Sequence, residues 1–161
     1  MHRANRLEAV RTGGFTLIEM MIVVVILAIL AAVAIPSYSN FVMRGRLTDA
    51  HAKLGDLRGQ MERYFMDNRT FISNGACGIN DPLTVDIIAT YNADGARSFD
   101  ITCVAPTATT YTLRADGRAA RGMSGFTFTV NQANVRATSA VPAGWTTSAN
   151  CWIVRKNGDC S

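Results

Sequence analysis

One carboxylate, Glu19, lies inside an otherwise uncharged apolar run from Phe15 to Ile35, and two glycines, Gly13 and Gly14, stand directly before that run. A charge inside a membrane-length apolar segment usually marks function. Glycine lets a backbone approach a protein-processing site closely, because it has no side chain to be cleared. A conventional secretory signal loses its apolar region, since the cut follows it. A cut ahead of the run would do the reverse and keep it as the mature N-terminus.

The second chemical set is Cys77, Cys103, Cys151 and Cys160. An even number of cysteines in an exported segment reads as a disulfide framework. Three pairings are open to four cysteines, and the sequence does not choose among them; Cys77–Cys103 and Cys151–Cys160 are the preferred pairs. Zinc is the rival use of these thiols. No Cys-x-x-Cys pair exists, and the histidines are His2 and His51 alone, so no metal site is expected. No cofactor is expected either. The chain offers no convergent catalytic group and no serine elbow, so an enzyme is the least favoured class.

The elements that must position these residues follow from pattern. Phe15 to Ile35 is 21 residues, which as a helix spans roughly 31 Å, enough to cross a bilayer. A β reading fails there because an isolated strand leaves its backbone unsatisfied in lipid. Pro36 follows; it removes one helical hydrogen bond without having to end the helix. Beyond it Leu47, Ala50, Leu54, Leu57, Met61 and Tyr64 recur three and four apart, the stripe of an amphipathic helix. Asp49–Lys53 and Arg58–Glu62 are spaced for weak surface pairs. The helix should end near Asn68, where Asn68-Arg69-Thr70 and Ser73-Asn74-Gly75 bring turn residues. The match of Asn68-Arg69-Thr70 to a glycosylation acceptor is better explained by that turn.

The period then changes. Residues 98–103, 110–114 and 125–130 alternate as half-buried strands, and 135–138 is a weaker fourth. Asp116-Gly117 and residues 131–134 read as turns, and 106–110 and 137–148 as loops. Short sequential strands favour an antiparallel meander. Its apolar face (Phe99, Ile101, Tyr111, Leu113, Phe126, Phe128) needs a cover, and the Leu47–Tyr64 stripe supplies it. The expected fold class is α+β: a long N-terminal helix packed on a roughly four-stranded antiparallel sheet.

The formal charge is +4 on 161 residues. Arg3, Arg6 and Arg11 against Glu8 hold two of those charges before Phe15, leaving 13 basic against 11 acidic side chains. That balance gives no general argument for nucleic acid. Positive residues flanking a membrane segment stay cytoplasmic, so the rest should face the bacterial periplasm.

The order Gly13-Gly14-Phe15-Thr16-Leu17-Ile18-Glu19, its apolar continuation, Pro36 and the four-strand pattern together resemble type IV pilins. The tail Asn150-Cys151-Trp152-Ile153 … Gly158-Asp159-Cys160-Ser161, with Trp145 before it, looks most like the PilE-class minor pilins. The resemblance implies a cytoplasmic leader over 1–14, removed after Gly14 by a membrane-embedded prepilin peptidase that N-methylates Phe15. It implies a transmembrane and assembly helix over 15–36, its amphipathic continuation over 37–68, and a globular head over 69–161. The Phe15 amine of one subunit would meet Glu19 of a neighbour, and Pro36 would locally open the helix for packing. The implied partners are other pilin subunits, the peptidase and an inner-membrane assembly platform, with the chain first single-pass in the inner membrane and then in the surface pilus.

The function expected is thus a structural subunit, a minor pilin aiding pilus assembly, twitching motility and adhesion. A major pilin and a type II secretion pseudopilin are the alternatives. A DNA-binding subunit, with Arg114, Arg118, Arg121, Arg136, Arg155, Lys156, Trp145 and Trp152 as candidates, is the more distant one. Nucleic acid is the less favoured partner because scattered basic residues on strand ends usually solubilise a surface.

Overall fold

The computed structural model describes residues 14–81 and 86–160. The arginine-bearing leader up to Gly13 lies outside these residues. The chain divides into two compact units, Met1–Asn40 and Phe41–Ser161.

Helix α1 runs from Leu17 to Asn68 and continues through Pro36. Its start follows from Thr16-Leu17-Ile18-Glu19, a Ser/Thr-x-x-Glu capping sequence. The Thr16 hydroxyl oxygen accepts the Glu19 N–H at 3.2 Å and the Thr16 carbonyl accepts the Met20 N–H at 3.2 Å. Described by itself, the first unit is helix from Leu17 on, and its apolar side chains from Leu17 to Ile35 are exposed. This helix is long and apolar enough to cross a membrane.

In the second unit Leu47, Ala50, Leu54, Leu57 and Met61 of α1 are buried and Tyr64 is half-buried. They pack with a four-stranded antiparallel sheet in sequential order, and the six residues of the anticipated sheet face are all buried. A short hairpin precedes this sheet: β1 (Ile72–Ser73) and β2 (Ala76–Cys77), closed by Asn74-Gly75 with both residues at positive φ. A short helix α2 (Ile87–Ala93) follows, capped by Asp86, whose carboxylate accepts the Ala89 N–H at 2.6 Å. The sheet itself is β3 (Phe99–Val104), β4 (Thr112–Gly117), β5 (Thr127–Asn131) and β6 (Arg136–Ala140).

Three local expectations fail. Asp116-Gly117 is not a turn: both residues pair within β4, Asp116 opposite Asp100 and Thr127, Gly117 opposite Phe99. The Asp116 carboxylate accepts from Arg114 and from the Thr127 hydroxyl, so its polarity is used along the sheet. A Cβ at Gly117 would overlap the Met123 carbonyl, so the glycine serves close packing and not chain reversal. The reversal falls later, where Gly122 takes a left-handed φ of 67° after the single 3-10 turn Ala119–Arg121. The supposed loop from 137 begins only after Ala140. Lys53 pairs with Asp56 at 3.0 Å and not with Asp49, and its hydrogen bond holds the Asp56 carboxyl below the usual range. Arg58–Glu62 does form, at 3.5 Å.

Candidate functional site

The N-terminal segment presents its chemistry openly. Gly14, Phe15 and Thr16 precede the helix, and Phe15 is 79 % exposed. Glu19 lies in the first helical turn, where the helix dipole favours a carboxylate. Its side chain is exposed beside the apolar face from Leu17 to Ile35. Such a surface is stable only against lipid or other apolar helices. At Pro36 the helix persists, and the Ser39 hydroxyl donates to the Pro36 carbonyl at 2.9 Å.

In the head, Cys77 is joined to Cys103 and Cys151 to Cys160, with Cα separations of 6.2 and 5.8 Å. The first bridge ties the β1–β2 hairpin to β3. The second lies within the 141–160 loop, which runs along the outer edge of β6. Thr138 holds this loop to the strand. Its backbone exchanges both hydrogen bonds with Ser148, its hydroxyl donates to the Cys151 carbonyl at 3.0 Å, and the same oxygen accepts the Ile153 N–H at 3.1 Å. The opposite edge is closed differently. The Asn92 side-chain amide accepts from Ile101 N–H at 2.8 Å and donates to Ile101 C=O at 2.7 Å, imitating a strand neighbour. Both edges are thereby covered, which suppresses edge pairing with other chains.

The residues considered for nucleic acid are dispersed and largely engaged. Trp152 is 3 % exposed, with its Nε1–H donating to the Thr129 carbonyl at 2.7 Å, so no base can stack on it. Trp145 is half-buried, edge-on to Phe126 at 4.8 Å. Arg114 pairs with Asp116 and Arg155 with Asp159. Arg118 is a structural hub: it holds Asp100 at 2.6 Å and donates to the carbonyls of Asn92 and Asp94, fastening the end of α2 to the sheet. Arg121 donates to the Gly95 carbonyl. Arg136 lies over Trp152 at 4.8 Å, and Lys156 is exposed at the loop tip.

A different group gathers cations. Arg46 and Lys53 of α1 and Arg97 after α2 line a cleft of about 380 Å³ with Asp49, Asp56 and Tyr91. Lys53 and Arg97 both lie against the Tyr91 ring, 5.4 and 5.0 Å from its centre. Residue pattern alone shows no sign of this cleft, because α2 is too short to register in it.

Comparison with known proteins follows the same division. Residues 11–35 match the prokaryotic N-terminal methylation motif. Residues 36–127 match the family described as type IV minor pilin ComP, DNA uptake sequence receptor. A probable minor fimbrial protein of Dichelobacter nodosus is 46 % identical over 63 residues, 39 % of this chain and 40 % of that protein. Fimbrial protein EcpC of Eikenella corrodens is 42 % identical over 67 residues, 41 % and 44 % of the two chains. The type IV major pilin protein PilE1 of Neisseria gonorrhoeae is 35 % identical over 69 residues, 43 % of this chain and 32 % of that one. The chain thus spans less than half the length of these relatives. The crystal structure of the Neisseria meningitidis non-core minor pilin PilV superposes with a TM-score of 0.48 at 20 % identity, covering 63 % of this chain and 91 % of that chain.

Proposed function

The chain belongs to the type IV minor pilin ComP family, whose model spans residues 36–127, and from that membership we propose that it is a low-abundance structural subunit built into a type IV pilus. The observation that carries this reading is the contiguity of two matches: a methylation motif over 11–35 runs directly into the minor-pilin family match over 36–127. The peptidase cuts after Gly14 and methylates the Phe15 amine. The helix from Leu17 then anchors the subunit in the inner membrane, with the head on the periplasmic side. On assembly the apolar face leaves lipid for the helices of other pilin subunits, delivered through the assembly platform. The disulfides suit a head exposed outside the reducing cytosol.

Mass spectrometry of sheared pili tests this directly. The expected result is a chain beginning at N-methylated Phe15, present far below the most abundant pilin. A chain retaining Met1, or absent from filaments altogether, overturns the reading.

A second reading comes from the family's description as a DNA uptake sequence receptor. The tryptophans are committed to packing, so any phosphate contact on this reading falls to cations such as Arg46, Lys53 and Arg97, which would have to exchange their pairing with Asp56, Asp94 and the Arg121 carbonyl for it. Filter binding across a salt series decides. Each phosphate neutralised contributes a slope of about −0.9 in log affinity against log salt. A flat profile removes the DNA reading and leaves the pilus reading intact, whereas a steep profile unchanged by Arg97→Gln removes the Arg46–Lys53–Arg97 cleft as the binding surface.

A further inference from the structure

Trp152 anchors the 141–160 loop, and it does so against the His51 ring and the Arg136 guanidinium. The His51 ring from α1 lies nearly parallel to one face, with centres 5.1 Å apart and planes 23° apart. The Arg136 guanidinium from β6 lies 4.8 Å from the indole centre. Phe128 of β5 meets the His51 ring edge-on at 4.6 Å. Beside these contacts the loop is held by the Trp152–Thr129 bond, the Thr138 group, the buried Ile153 next to Trp152 and the Trp145–Phe126 contact, so its docking turns on the packing around Trp152. Gly144 and Gly158, at φ 81° and 87°, give it glycine joints.

We propose that His51 is an acid-sensitive latch for this loop: the neutral imidazole lets Trp152 dock, and a proton on it releases the loop while Cys151–Cys160 keeps the loop closed on itself. His51 is 5 % exposed, so a charge there loses most of its hydration. The charged side chain that bears on it is Arg136, which repels a second cation. Its neighbours one helical turn away on α1, Leu47, Thr48, Leu54 and Gly55, carry no charge, and neither do Phe128 of β5 or Trp152 of the loop. An indole face attracts a cation, but burial of the new charge outweighs that attraction. Burial first, and Arg136 second, bring the His51 pKa from 6.5 down to about 4. The sign follows. With the loop docked His51 stays neutral, whereas once released it recovers an ordinary pKa. The docked state is therefore fully favoured above pH 6.5 and loses its advantage as pH falls from there toward 4.

Trp145 also fluoresces, so the experiment uses the full chain in detergent micelles with Trp145→Phe as background. Acrylamide quenching then reports Trp152 alone. Quenching is expected to rise several-fold between pH 6.5 and 4 while far-UV circular dichroism holds constant. In His51→Phe, which keeps an aromatic ring and cannot take a proton, the rise should vanish; His51→Gln serves if the phenylalanine variant does not fold. Arg136→Gln removes the repelling charge, lets the docked imidazole take a proton more readily, and should shift the rise to lower pH and shrink it, which a merely structural role would not do. A rise that persists in both His51 variants overturns the proposal. So does quenching that increases only together with loss of helical signal, because that is unfolding of the whole head.

Discussion

Glu19→Ala is expected to leave cleavage and membrane insertion at normal levels and to remove the chain from sheared filaments. In lipid the glutamate sits in the first turn of α1, near enough to the headgroups to escape part of the penalty of about 2.5–3.5 kcal/mol that a charge meets at the bilayer centre. Alanine is therefore no worse for insertion. In the filament the water is gone, and an unpaired ion among apolar helices is strongly unfavourable. On the proposed pairing, the Phe15 amine of a neighbouring subunit would need Glu19 as much as Glu19 needs it, so removing the carboxylate would strand the amine and lose the register between subunits. Immunoblots of the membrane and sheared fractions measure both outcomes. Normal amounts of the variant in filaments would refute the pairing.

The two disulfides should differ in what they contribute, and their loop lengths say how. Cys77–Cys103 closes a separation of 26 residues and Cys151–Cys160 one of 9. Under the loop-entropy account these correspond to about 3.5 and about 2.6 kcal/mol. The structure widens the gap, since Cys77 is buried in the core while Cys160 is exposed. Cys77→Ala with Cys103→Ala should thus lower the urea-unfolding free energy more than Cys151→Ala with Cys160→Ala. The second pair should instead act locally, exposing Trp152 to quenchers with a smaller loss in global stability. An equal or reversed ranking would show that the 151–160 loop is integral to the core.

Much of this architecture is legible in the residues themselves. A 21-residue apolar run has few stable fates, and the spacing from Leu47 to Tyr64 fixes which helical face meets the sheet. Strand alternation located all four strands to within a few residues. His51 could have been placed as well, because it lies four residues after Leu47 and three before Leu54, within the buried stripe. Thr16-Leu17-Ile18-Glu19 likewise carries its capping role in plain view.

What failed had a common cause. Asp116-Gly117 carries turn residues, yet pairing on both sides of β4 satisfied the aspartate and a tight contact with Met123 required the glycine. Helix α2 is only seven residues long, too short for a period to register, and it persists through Asp86, Asn92 and Arg118. Trp152 and Arg136 read as surface candidates for stacking and charge until the fold buried the indole and set the guanidinium 4.8 Å from its centre.

The membrane-length helix, its carboxylate, the amphipathic face and the sheet class follow from the residues, because each rests on composition or on a repeat within one element. The disulfide partners, the hydrogen bonds that engage the sheet edges, the cationic cleft and the burial of Trp152 against His51 came only with the fold. Those depend on distances between residues remote along the chain, and such distances are set by packing, on which local pattern is silent.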